Sequence, residues 1–61
     1  MQPERILRVA APHFVAGAIW RRDVAGWRCV RAAPVIKWMV GQPADEVKSY
    51  LVRKGWVFEW L

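Results

Sequence analysis

Apolar residues recur at helical spacing in the second half of this chain and take alternate positions at its end. Trp56, Phe58 and Trp60 take every second position at the C-terminal end, with Val57, Glu59 and Leu61 between them. That is the period of a strand with one face on a core. Upstream, HFVAGAIWRR and WRCVRAA are two more strand-like runs, separated by DVAG. Asp23 suits the first position of a tight turn and Gly26 a left-handed one, so the pair reads as a hairpin closed by a three-residue loop with a bulge. The turn sets a register in which Asp23 faces Trp27, Arg22 faces Arg28, Trp20 faces Val30 and Ala18 faces Ala32. Phe14, Ala16, Ala18, Trp20, Val30 and Ala32 then share one face. Val15, Ile19, Arg21, Trp27, Cys29 and Arg31 share the other, and a slip of one residue mixes Ala18 with Arg31.

The helical segment lies between the hairpin and the last strand. Pro43 fits a first turn, Asp45 and Glu46 complement the positive helix end, Arg53 and Lys54 the negative one, and Gly55 ends the run. Ala44, Val47, Tyr50 and Leu51 fall on one face, so residues 43–54 are expected as an amphipathic helix. Residues 35–40, VIKWMV, fit either a short helix opened by Pro34 and closed by Gly41 or a strand. The whole reads as an α+β fold: a small antiparallel sheet of a hairpin plus a C-terminal strand, packed on one helix, in a single domain over residues 1–61. MQPERILR is compatible with a loose N-terminal arm, within residues 1–10, or with a strand edge.

Composition explains why the aromatics belong inside. A chain of 61 residues is near the lower size limit of a domain, and one this short leaves much of its surface exposed. Five tryptophans, each able to bury about 150–250 Å², supply apolar area that length cannot. Core is therefore the expected place of Trp56 and Phe58, while Trp60, close to the end, suits core and surface equally. The longest uncharged apolar stretch, residues 9–20, is interrupted by Pro12 and Gly17 and is shorter than the roughly 20 residues of a membrane span. It also lacks the form of a cleaved leader, since Arg21 and Arg22 follow it in place of small residues. One cysteine, Cys29, excludes an internal disulfide and suits a reducing cytoplasm.

Net charge is +5, of which +4 lies in residues 1–33, where six arginines oppose Glu4 and Asp23. Such asymmetry favours an acidic partner; it also simply keeps an apolar domain soluble. The reactive side chains, His13, Cys29 and Ser49, are scattered over different elements, so no enzyme is expected. One cysteine and one histidine do not make a structural zinc site, and no phosphate-binding loop is present, so no metal or cofactor is expected. Arginine and tryptophan are the residue types that dominate interface hot spots. Arg21, Arg22, Trp27, Arg28, Arg31 and Trp38 are therefore the candidate partner-binding residues, although packing and solvated charge account for the same positions. Three occupants suit them: an acidic protein surface, nucleic acid held by the hairpin arginines with tryptophan stacking, or a second copy covering the open hairpin face.

APHFVAG (11–17), AAPVIKWMVG (32–41) and YLVRKGW (50–56) together resemble a group of short proteins of phage and prophage genomes. The resemblance implies stoichiometric binding to host machinery, including defence systems, or to nucleic acid in a bacterial cytoplasm. It transfers no functional residue.

Overall fold

The protein is described here by a computed structural model that covers residues 4–24 and 26–61. Four antiparallel strands, β1 (Glu4–Ala11), β2 (Phe14–Asp23), β3 (Gly26–Ala32) and β4 (Val57–Trp60), form one sheet in the order β3-β2-β1-β4. A 3₁₀ segment (Pro34–Met39) and helix α1 (Ala44–Lys54) connect β3 to β4. The fold is the small α+β arrangement expected, with one strand more than the pattern predicts.

That strand is β1. Residues assigned to an arm or a strand edge lie in the middle of the sheet, between β2 and β4. Leu7 and Val9 point into the core with no exposed surface, while Ile6, Arg8 and Ala10 alternate onto the opposite face. Residues 1–3 of the expected arm and Ala25 of the expected turn lie outside the described residues.

The hairpin departs from the expected register near its tip. Ala18 faces Ala32 as predicted, but Trp20 faces Cys29, Arg21 faces Arg28, Arg22 faces Trp27 and Asp23 faces Gly26. The ladder closes one residue earlier than a three-residue loop requires, and a bulge opposite Ile19 and Trp20 absorbs the difference. Gly26 keeps its positive φ of 117°. The shift exchanges two side chains: Cys29 is buried in the core, and Val30, expected there, is 38% exposed on the outer face. It also moves Trp27 onto the side that carries Trp20 and Cys29, away from Arg21 and Arg31.

One face of the sheet holds the core. Leu7, Val9, Ala16, Ala18, Trp20 and Cys29 meet Ile36 and Met39 from the 3₁₀ segment and Val47 and Leu51 from α1, all buried. Of residues 35–40, left open between helix and strand, all but Val40 fall in a 3₁₀ segment kinked at Ile36 (φ −122°), and Ile36 and Met39 are its buried side chains. Helix α1 ends where Gly55 adopts φ +72°, its N–H donating to Val52 O while that of Trp56 donates to Leu51 O. Trp56, Phe58 and Trp60 face inward and pack half-buried around the core. The outer edge of β3 is also occupied: Cys29 N–H donates to Gln42 O at 3.1 Å, and Gly41 N–H donates to Cys29 O at 2.8 Å. Covering an edge in this way blocks unwanted strand addition. No helix among the described residues is long and apolar enough to cross a membrane.

Candidate binding surfaces

The six candidate residues separate into three groups. Arg21, Arg28 and Arg31 lie on the uncovered face of the sheet, Arg22 and Trp27 on the other side near the hairpin tip, and Trp38 on the 3₁₀ segment.

On the uncovered face most of the arginine charge is already matched. Arg21 stands opposite Glu4 across the β1–β2 ladder and donates to its carboxylate at 2.7 Å. Arg8 stands opposite Glu59 and pairs with it at 3.2 Å. Arg28 reaches Asp23 at 3.4 Å and donates to Gly41 O at 2.8 Å, which ties the covering segment to β3. The shifted register replaces the Arg22–Arg28 pairing with Arg21 opposite Arg28, and the carboxylates of Glu4 and Asp23 neutralise that like-charge pair. Arg31 makes no ion pair among the described residues. Exposed pairs of this kind each contribute at most about 1 kcal/mol; their effect is to leave the face nearly balanced in charge.

Trp38 belongs to a chain of rings. It lies 4.4 Å from Tyr50, which is 5.9 Å from Trp56, which in turn meets Phe14 at 5.3 Å and His13 at 6.4 Å. Edge-to-face contacts of this type add about 0.5–1.5 kcal/mol each beyond area. This cluster closes the core at the end far from the hairpin tip, with Lys54 Nζ 5.6 Å from the Tyr50 ring centroid.

Trp27, without Arg22, lines a cleft. Arg5 of β1 holds its guanidinium carbon 5.1 Å from the Trp60 ring and 5.8 Å from the Trp27 ring. Gly26, Pro43, Ala44, Asp45 and Lys48 complete the walls around a volume of about 290 Å³. The positions follow from the fold: Arg5 shares the parity of Leu7 and Val9, β4 brings Trp60 opposite Leu7, and the register shift brings Trp27 inward. Trp60 is itself braced edge-on by the fully buried Trp20 at 5.7 Å. The Trp20 indole N–H has no hydrogen-bond partner among the described residues, a local cost of about 1–3 kcal/mol set against the area the ring buries. Sequence reasoning selected Trp27 but not Arg5, Trp60 or Lys48. Their only signal was the alternation of ERILRVA, which puts Arg5 on the face of Leu7.

Burial pushes the Cys29 thiol above its ordinary value of 9.0, with the Arg31 backbone acting weakly in the other direction. Comparison with protein families, curated proteins and solved structures gives no match to this chain.

Proposed function

We propose that this is a non-catalytic binding protein that docks on an acidic region of a partner protein through the cleft of Arg5, Trp27 and Trp60. In keeping with the resemblance to short phage proteins, the partner is a host protein of the bacterial cytoplasm, and the mode is stoichiometric. The observation that carries the reading is the guanidinium of Arg5 held against two indole faces. Aromatic faces fix a cation in place without consuming its N–H donors, and Arg5 makes no ion pair among the described residues. A guanidinium so positioned meets a carboxylate with little further ordering. Lys48 adds a second cation at the wall, and the half-buried tryptophans supply the apolar anchor that hot spots use.

Protein is favoured over nucleic acid by the placement of acidic groups. Arg21 and Arg28, which a phosphate track along the hairpin needs free, are paired with Glu4 and Asp23. Asp45 lines the cleft and Glu46 follows it in the first turn of α1. Asp45 opposes a carboxylate in the cleft as it does a phosphate. A protein, however, presents few such charges to Arg5 and Lys48, whereas a polyanionic backbone carries its charge past Asp45 and Glu46 at every step.

The test is affinity capture from bacterial lysate with wild type, Arg5→Gln and Trp27→Ala, each checked for a native circular dichroism spectrum. A discrete acidic protein is expected on wild type, with affinity reduced about thirtyfold or more, some 2 kcal/mol, in both variants. Equal retention by Arg5→Gln, which is exposed and leaves the core intact, overturns the proposal. So does tight single-stranded DNA binding that falls steeply with salt, which would transfer the function to nucleic acid.

A further inference from the structure

The face of the sheet opposite α1 is covered by no element among the described residues, and its side chains are arranged in rows that run across the strands. On β1 and β2 the facing pairs are Glu4 with Arg21, Ile6 with Ile19, Arg8 with Gly17, and Ala10 with Val15. The rows thus alternate between charged and aliphatic. Each charged or aliphatic pair is matched in kind, and two rows join a large side chain to a small one. Val57 of β4 continues the row of Ala10 and Val15, 69% exposed, whereas on β3 Arg31 stands opposite Ile19 and Val30, at the bulge beside it, is 38% exposed.

We infer that a second copy of this chain covers this face, in a two-fold pair whose axis runs parallel to the strands between β1 and β2. This goes beyond the cleft reading and uses the opposite side of the sheet. The geometry follows from the register alone. A two-fold axis in that position keeps each row level and exchanges β1 with β2, so every residue lies over the copy of its own cross-strand neighbour. Glu4 then meets the other copy's Arg21, Ile6 its Ile19, Val15 its Ala10, and Arg8 lies over its bare Gly17. Over β1 and β2, opposite charges face each other, aliphatics face aliphatics, and bulk faces space, while Arg31 of β3 lies at the edge of the pair. An axis perpendicular to the strands would reverse the rows and set Glu4 and Arg21 on Ala10 and Val15, burying charge without a partner. Packed sheets keep strand directions within about 30° and interdigitate at about 10 Å, which the parallel axis satisfies.

Gly17 gives independent support. Its φ is not in the left-handed region, and a Cβ there would meet only Leu7 O at 3.9 Å and Ile6 Cγ2 at 4.0 Å, both ordinary contacts. The isolated chain therefore has no steric need for glycine in the middle of a central strand, where it weakens the strand. The gap on the open face is where the stem of the second copy's Arg8 would lie. Strands of eight, ten, seven and four residues, about 4.8 Å apart with about 3.3 Å per residue, span roughly 460 Å². A pair therefore buries about 1,000 Å², at the lower end for specific association, and the expected dimer is concentration-dependent.

Sedimentation analysis of wild type should show the 7.1 kDa chain passing to twice its mass as concentration rises toward millimolar. The decisive arm uses charge exchange. Glu4→Arg alone and Arg21→Glu alone each place like charges across the axis and should stay monomeric. Mixed together they should form heterodimers, visible as the mixed mass in native mass spectrometry, because each then offers what the other lacks. If like charges on neighbouring strands unfold those variants, Gly17→Val serves instead. It should fold and yet associate at least tenfold more weakly than wild type. A wild type that remains monomeric throughout, a mixture no more associated than its components, or a Gly17→Val that pairs as tightly as wild type overturns the inference. Arg5→Gln should dimerise normally, so failure here and failure of the cleft are read separately.

Discussion

Gly55 shows how much one backbone position decides. Its φ of +72° lets two N–H groups turn back onto Val52 and Leu51 and starts β4 at the right height for Trp56 to meet Phe14 and Tyr50. An L-residue in this conformation is strained. Gly55→Ala should therefore cost about 1 kcal/mol, seen as a lower midpoint in urea with an unchanged slope; an unchanged midpoint would show that the turn is not held there. Gly17 is the opposite case, since neither its φ nor its surroundings call for glycine. The sequence marks both residues only as breaks in a pattern. It distinguishes them once the C-terminal end of a helix is recognised before Gly55, because helix ends have a chemistry that neighbouring residues announce, whereas a partner's side chain leaves no such trace.

At the scale of elements, the bulge in β3 is the feature with the widest consequences. By absorbing one residue it puts Cys29 inside and Val30 outside. Labelling tests this directly: Cys29, its thiol neutral because burial disfavours the thiolate, should react with iodoacetamide far more slowly in the folded chain than in urea. The contrast should persist as pH rises toward the ordinary thiol range, since a raised value delays thiolate formation further. Equal rates in the two states would restore the outward cysteine that unbroken alternation predicts. Helix α1 was legible because four cues agree: Pro43, the acidic first turn, the basic last turn and Gly55. The last strand was legible from its aromatic alternation. Strand β1 was not, because Arg5 and Arg8 flank Ile6 and Leu7 so that no period stands out; the partners that make ERILRVAA a central strand come from residues 14–21 and 57–60. The bulge escaped for a related reason, since CV is a plausible core pair in either order.

For the molecule as a whole, the expectation that tryptophan turns inward and arginine outward holds only in outline. Arg5 and Arg22 sit on the covered side, and Arg5 defines the candidate site because two indoles hold it at the rim. The arginines most evident in the sequence, Arg21 and Arg28, serve ion pairs and the Gly41 segment instead. Composition foretold a basic, tryptophan-bearing surface but could not locate it, because location depends on which cations the fold has already matched. The result is a domain with a cationic, aromatic cleft on one side of the sheet and a nearly balanced, striped face on the other. The measurement that tests the central claim most directly is an ¹⁵N–¹H spectrum of the five indole N–H groups during titration with a glutamate-rich peptide. The Trp27 and Trp60 signals should move together and saturate, while Trp38 and Trp56 stay in place, and Arg5→Gln should abolish the shifts. Unmoved Trp27 and Trp60 signals, or shifts centred on Trp38, would contradict it.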